Sequence, residues 1–397
     1  MRRVISREEA IDLLSKEGSI GFRSKSVSLV DTIGRRSALR ITAPFDLPEL
    51  SRSTRDGYAV NHLDLKGVSE SMPAYLTLIG EIKVGEVPNI FISPGEAVRV
   101  FTGSYLPEGA DAVVMNEFVE ESQGTVQVYK SVAPGENIFR KGEDWLGGTT
   151  ILDFGERISI GKVGLLAAYG FNKVEILELK VGIVSTGDEI VSPGAKPSLG
   201  KIYDINSFTL YALLRSWGAD PWIYGVVPDD LNMLLQALEE TLEKSDVVVF
   251  SGGSSIGARD YTKELFKKFN GNLVIEGINI SPGKPTIAGW IRNKPVFGLP
   301  GHPVSSIVAA RVFLIPIIER MLGIEEDKPL FLPLLTNLPS KLGVEEFVIA
   351  SLSSNGVVPV LGKSGAIGRI AKGGFLIRIP EHVEGYNKGE VVEVWNI

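Results

Sequence analysis

The stretch "KVGIVSTGDEIVSPG", residues 180–194, runs from an apolar segment into a Ser-Thr-Gly turn and then at once into two carboxylates, Asp188 and Glu189. A short, almost continuous apolar run bounded by glycine reads as a strand buried on both faces. Downstream the pattern alternates: a helix over 206–217 stopped by Gly218, the strand "PWIYGVV", a helix over 230–244, the strand "DVVVFSGG" and a helix over 261–269. A pair of short runs, "TIAGWI" and "KPVFGL", then leads into one long helix, "VSSIVAARVFLIPIIERML". Apolar strands alternating with amphipathic helices predict a doubly wound α/β domain, a parallel sheet covered by helices on both faces.

Working outward, the texture changes on either side. "MRRVISREEAIDLL" carries a capping-box pattern, Ser6 with Glu9, ahead of helical apolar spacing, which argues against a signal peptide. Short strands punctuated by Gly and Pro, such as "AYLTLIGEI", "EAVRVFTG" and "TVQVYKSV", make residues 47–141 a mostly β module. "RISIGKVGLLAAYG" reads as a helix, and beyond Asp327 the runs "FVIASL", "GVVPVL", "GGFLIRIP" and "EVVEVWNI" suffice for a small β domain.

With 397 residues the chain exceeds one ordinary core, so two to four domains are expected. Apolar residues at 44% and charged residues at 22% are values of a folded globular chain. A formal charge of −7 argues against nucleic acid as partner, because neutralising phosphates takes clustered Lys and Arg. The absence of cysteine removes disulfides, thiolate catalysis and Cys-ligated metal, and three scattered histidines make a His-based metal site improbable. No window supplies the apolar length of a membrane span. A soluble, cytoplasmic protein is expected.

Ligands of open α/β sheets bind in loops at the carboxyl ends of strands. Three such loops here are rich in Gly, Ser and Thr: Ser185, Thr186, Gly187 and Asp188; Gly252, Gly253 and Ser254; Pro300, Gly301 and Ser305. Their amides and hydroxyls suit a phosphate, although in any one loop the glycines could merely shape a tight turn. Carboxylates beside a phosphate repel it unless a cation intervenes, which makes Asp188, Glu189 and Asp260 candidate magnesium or water-orienting groups; helix capping is the plainer alternative. Lys284, between Gly283 and Pro285, could reach an oxyanion, or could be a solvated surface lysine. Asn206 reads as the N-cap of its helix. In the N-terminal half, Asp56 in "SRSTRDGYAV", Thr102 and Gly103 in "VFTGSYLPEG", and Asp144 in "IFRKGEDWLGGT" occupy comparable turns.

Taken in order, "STRDGYAV", "FTGSYLPEGADAVVMNE", "RKGEDWLGG", "STGDEIV", "YDINSF", "SGGSSIGARDYTKE", "SPGKP" and "GLPGHPVSS" resemble the molybdopterin molybdenumtransferase family, the MoeA-type proteins and the E domain of gephyrin. The likeness runs to about residue 325 and is looser in the terminal β segment. It implies four domains: a mixed N-terminal domain from 1–46 with 142–178, an inserted mostly β domain over 47–141, a Rossmann-like α/β domain of molybdopterin-binding type over 179–326, and a small β domain over 327–397. It further implies a homodimer whose site uses Asp56, Thr102 and Asp144 of one subunit with Glu189 and Asp260 of the other. The implied reaction consumes adenylylated molybdopterin, places molybdate or tungstate on the pterin dithiolene and releases AMP with Mg2+. The adenylyltransferase of the preceding step is an implied partner. Two departures stand out: Ser281 where the family often has lysine, and His302 where it often has asparagine. A pterin adenylyltransferase and a non-enzymatic pterin-binding scaffold are the rival readings; the strings around Asp56 and Asp144 speak against the first.

Overall fold

A computed structural model of the protein describes residues 4–252 and 256–397, with the backbone alone for 256–260. It separates into two units, Arg40–Ile151 and the remainder, Met1–Leu39 with Leu152–Ile397.

The larger unit opens with helix α1 (Arg7–Lys16), where the Ser6 hydroxyl accepts the Glu9 amide and Ala10, Ile11 and Leu14 form the buried face. Such a cap is worth about 1 kcal/mol. Helix α2 (Ile160–Ala168) follows the other unit in sequence, and Leu166 is its one buried residue. The central sheet then forms from β1 (Lys180–Thr186), β2 (Asp220–Val227), β3 (Val247–Gly252), β4 (Asn272–Glu276), β5 (Ile287–Ile291) and β6 (Lys294–Leu299). Their spatial order is β2-β1-β3-β6-β5-β4. The first four are parallel as expected, whereas β5 and β4 join antiparallel. That edge is antiparallel because only Arg292 and Asn293, both at positive φ, separate β5 from β6, too short a connection for anything but a hairpin.

Helices α3 (Asn206–Trp217), α4 (Leu231–Lys244) and α5 (Ile256–Lys268) connect the strands. Alternate strand residues feed opposite cores. Val181, Ile183, Val247, Val249 and Phe297 pack with α1 and α3, while Val184, Val248, Phe250 and Val296 pack with Leu234 and Leu238 of α4 and Phe266 of α5. Burial on both faces is what the continuous apolar runs encode.

The long final helix is broken in three: α6 (Pro303–Ala309), a π-helical turn over Ala310–Leu314, and α7 (Ile315–Leu322). Pro316 has no amide hydrogen for the carbonyl one turn back, and the ladder shifts register there. On α7, Glu319 is 1% exposed and accepts from Trp217 Nε1 at 2.7 Å and Arg36 Nη2 at 3.1 Å. Burial nevertheless pushes its pKa up to about 7, against the pull of both donors.

The C-terminal sheet runs in the order Ile280–Ser281, Glu345–Ser353, Phe375–Ile379, Val391–Asn396 and Leu330–Pro333, with Gly356–Pro359 beside the second of these. Its first strand belongs to the segment between β4 and β5 and pairs in parallel, Ile280 with Glu345. Leu334, Val348, Ala350, Ile377 and Val392 fill its core.

The smaller unit is built on a six-stranded sheet in the order Ala112–Met115, Gly57–Val60, Glu96–Val100, Ala74–Ile82, Thr125–Val128 and Val119–Ser122. Tyr58 and Val60 face one cluster and Ala59 the other, so the strand directly following Asp56 is enclosed on both sides. A Cβ at Gly57 would fall 1.9 Å from the Val114 carbonyl oxygen, which fixes glycine beside Asp56. Among the described residues, no helix is long and apolar enough to cross a membrane.

Candidate functional site

The register of the parallel strands brings three loops together. Thr186 of β1 pairs with Gly252 of β3, and Ser251 pairs with Leu299 of β6, so three neighbouring strands end at one level. Ser185, Thr186 and Ser305 are buried there, and Ser251 and Ser306 hydroxyls meet at 3.4 Å. A Cβ on Gly252 would lie 2.1 Å from the Thr186 carbonyl oxygen and 2.4 Å from its hydroxyl, so the β1 and β3 turns approach as closely as backbone allows. Because β5 runs antiparallel, with Ile287 opposite Gly298, the turn carrying Lys284 lies at this same edge. Lys284 is exposed. Gly253 and Ser254 lie outside the described residues, as does the side chain of Asp260, whose backbone belongs to α5.

The turn after β1 begins at Gly187, whose amide donates to the Val227 carbonyl at the end of β2. Asp188 and Glu189 follow, both exposed. Asp188 Oδ1 accepts the Asp229 amide at 3.1 Å, and Lys201 Nζ donates to the Asp188 carbonyl. Asp229, in the loop after β2, completes an acidic group that the sequence reading missed. Its carboxyl is pushed above the ordinary range by burial, then by the charges of Asp188 and Glu189, and its Oδ1 is buried without a hydrogen-bond partner. The available signal was its position in "VVPDD", at the carboxyl end of the neighbouring strand. Among the described residues no three carboxylates or histidines converge tightly enough to cage an ion. That donor set suits Mg2+, which takes one or two carboxylates and fills its remaining positions with water and substrate phosphate.

Asn206 is not an N-cap. Ile205 holds that position, Asp204 Oδ1 accepts the Ser207 amide at 3.1 Å, and Asn206 Nδ2 donates to the Gly301 carbonyl at 2.8 Å. The amide thereby ties α3 to the "LPGHP" loop, leaving Asn206 Oδ1 buried and unpaired at the site. Pro300 is buried, and Gly301 leads into α6. The C-terminal region also reaches this loop, since the Val304 amide donates to the Ser364 carbonyl at 3.1 Å.

In the smaller unit Asp56 is exposed at the start of its strand. Its Oδ1 accepts from the Thr102 amide at 2.7 Å and the Thr102 hydroxyl at 2.9 Å. These two donors hold the Asp56 pKa below the ordinary carboxylate range, so it is ionised at neutral pH. Gly103, at φ +92°, turns the chain so that its amide reaches the Ser53 carbonyl at 2.8 Å. Asp144 is exposed, and its amide donates to the Leu47 carbonyl at 3.1 Å. A cavity of about 450 Å3 lies elsewhere, lined by Arg36, Arg157, Glu325, Asp327 and neighbours in the larger unit, away from the strand-end loops.

A doubly wound α/β domain with Gly-, Ser- and Thr-rich turns and carboxylates at its carboxyl edge, the edge where open α/β sheets bind ligands, is joined in one chain to two β modules. The sequence matches the MoeA N-terminal region (domain I and II) over residues 5–170, the probable molybdopterin binding domain over 182–320, and the MoeA C-terminal region (domain IV) over 332–397. The chain belongs to the MoeA family. A molybdopterin biosynthesis protein of Methanocaldococcus jannaschii is 39% identical over 94% of this chain and 92% of its own. A molybdopterin molybdenumtransferase of Staphylococcus aureus is 30% identical over 99% and 96%. The crystal structure of a molybdopterin biosynthesis protein from Pyrococcus horikoshii OT3 superposes with TM-score 0.82 at 30% identity, over 100% of both chains. A second Pyrococcus horikoshii structure gives 0.79 at 36% identity, over 99% and 98%.

Proposed function

We propose that the chain is a cytoplasmic molybdopterin molybdenumtransferase that takes adenylylated molybdopterin, places molybdate or tungstate on its dithiolene and releases AMP with Mg2+. The observation that carries this reading is the sheet edge, where Thr186, Gly252 and Leu299 end side by side next to Asp188, Glu189 and Asp229. The hydroxyls of Ser185, Thr186 and Ser305, and the turns through Gly187, Gly252 and Pro300–Gly301 with Gly253 and Ser254, serve the substrate phosphates, and Lys284 adds a cation. Asp188, Glu189 and Asp260 hold Mg2+, with Asp229 as a further carboxylate; the ion supplies charge neutralisation between these groups and the anhydride. Asp56, steered by Thr102 and Gly103, and Asp144 serve the same reaction as ionised groups that orient water or metal-bound ligands.

The chain acts as a homodimer receiving its substrate from the adenylyltransferase of the preceding step. Supporting dimerisation, α2 is an apolar helix whose Ile160 is 83% exposed, and Phe208 and Tyr211 of α3 stand 50% and 39% exposed. Four functional segments are assigned as 1–46 with 142–178, 47–141, 179–326 and 327–397. The deciding experiment incubates the protein with adenylylated molybdopterin, Mg2+ and each oxyanion in turn. Stoichiometric AMP release coupled to metal incorporation is expected, and AMP release absent under all conditions overturns the reading.

A further inference from the structure

The cavity of about 450 Å3 away from the strand-end loops lies where the chain leaves α7 for the C-terminal sheet. Residues 153–157 and 324–328 line it, and Arg36 completes the lining. Half-buried Phe154 and buried Ile324 give it an apolar patch. The two segments touch at Gly155, φ +73°, where a Cβ would fall 2.5 Å from Ile324 Cγ1.

Three guanidiniums gather at this junction. Arg36 and Arg311 are each 4% exposed. Arg36 lies over the Trp217 ring at 4.3 Å, and its nitrogens donate to the Trp217 carbonyl at 3.0 Å, the Gly155 carbonyl at 2.9 Å and Glu319 Oε1 at 3.1 Å. Asp327 is shared: its Oδ1 lies 3.8 Å from Arg36 Nη2 and its Oδ2 3.3 Å from Arg311 Nη2. Arg311 stacks on Trp395 at 5.2 Å and donates from Nε to the Asn396 carbonyl at 2.6 Å, while its Nη1 is buried without a hydrogen-bond partner. Arg157, bridged to Arg36 through the backbone, is exposed on the lining and has no side-chain partner among the described residues. Burial lowers the Arg36 pKa, and Arg157 and Arg311 push the same way against Glu319 and Asp327.

Two carboxylates thus face three guanidiniums, and Glu319, with a pKa of about 7, carries its proton about half of the time at neutral pH. Other acids of the lining have cations of their own: Glu156 pairs with Lys162 at 3.0 Å, Glu325 with Lys328 at 2.6 Å and Glu326 with Arg320 at 3.1 Å. Asp153 is exposed. The group left over is the fork of Arg157, and a guanidinium fork matches a carboxylate or a phosphate with two parallel hydrogen bonds.

We propose that this cavity binds a small organic oxyanion, a carboxylate or phosphate monoester with a short apolar body, whose charged head takes the fork of Arg157 while its body rests on Phe154 and Ile324. The site is separate from the sheet edge and stands whether or not the transferase reading does. An occupant stabilises the junction between α7 and the C-terminal sheet by mass action. It also favours neutral Glu319, which is faced by Arg36, by Trp217 at the end of α3, by Arg311 in the π-helical turn and by Asp327 in the linker, so affinity falls as pH rises through about 7.

The test titrates the full chain with benzoate, phenyl phosphate and inorganic phosphate by calorimetry, alongside melting temperature. Benzoate keeps one charge between about pH 6 and 8 and therefore carries the pH series. Benzoate or phenyl phosphate is expected to bind and to raise the melting temperature, the tighter of the two naming the head group, with inorganic phosphate about tenfold weaker for want of an apolar body. Arg157→Gln alters only an exposed side chain; it should weaken the aromatic anions about tenfold and leave AMP binding at the sheet edge unchanged. Arg157→Lys, with the charge but not the fork, should fall between, and Glu319→Gln should flatten the pH series. Absence of binding by both aromatic anions, or affinities that stay within twofold in both Arg157 variants, overturns the inference.

Discussion

Two acidic sites in this molecule treat their carboxylates in opposite ways. Asp56 in the smaller unit is solvent-exposed, receives two donors from Thr102, and has its pKa lowered. Asp229 in the larger unit is partly buried, faces Asp188 and Glu189, and has its pKa raised. A carboxylate supplied with donors is a finished anion, ready to orient water or a metal ligand. One crowded by other carboxylates is waiting for positive charge. Glu319 is a third case: it has an indole N–H donor, Trp217 Nε1, and a guanidinium, yet burial dominates and raises its pKa to about 7. Donor count alone does not decide protonation; the solvent lost must be set against it.

The strongest way to break the contrast is to remove one carboxylate from each site. An Asp56→Ala, Glu189→Ala double variant should lose about 10²–10⁴-fold in AMP release while retaining its circular dichroism spectrum. Full turnover would sink the assignment of both sites. Next in size, Asp229→Asn removes a crowded charge. We expect Mg2+ affinity to fall about tenfold. Because the Asp229 pKa is raised, Mg2+ binding to the unaltered protein should weaken as pH falls through that pKa, and titration calorimetry should find the dependence flattened in the variant. Thr102→Val keeps the backbone donor to Asp56 but deletes the hydroxyl, and is expected to raise the Asp56 pKa by carboxyl NMR and slow turnover about tenfold. An unshifted Asp56 would show that the hydroxyl contributes nothing. Smallest is Glu319→Gln, which can still accept from Trp217 and Arg36. With a pKa near 4.5 unfolded and about 7 folded, the native state binds the extra proton between those values. Wild-type stability should therefore decline as pH rises from about 4.5 to 7, a slope that linkage predicts is missing in the variant. Parallel melting-temperature profiles for the two proteins would refute it.

Much of this was legible in the sequence. Buried strands gave themselves away by unbroken apolar runs, and Gly218 stopped α3 where the pattern said it would, at φ +113°. The loop bearing Asp188 and Glu189 fell at the expected edge because strand direction forces it, whereas Lys284, ahead of β5, reaches that edge only because β5 runs antiparallel, which the pattern of a parallel sheet did not announce. Three further features were not legible, each for a tertiary reason. The helix through 303–322 looked continuous because its apolar pattern does not reveal that Pro316 must shift the register. Asn206 read as a cap because local chemistry favours it, whereas the partner it found, Gly301, is 95 residues away. Asp229 became recognisable only when β2 was laid beside β1.

The parallel pairing of Ile280–Ser281 with Glu345–Glu346 means that the C-terminal sheet cannot close its own border. Trimming the chain after residue 326 would strip hydrogen-bonding partners from a segment only three residues upstream of Lys284. The tail and the pterin-binding layer should accordingly melt in a single calorimetric event, and a truncated form should be more prone to self-association through the newly bared strand.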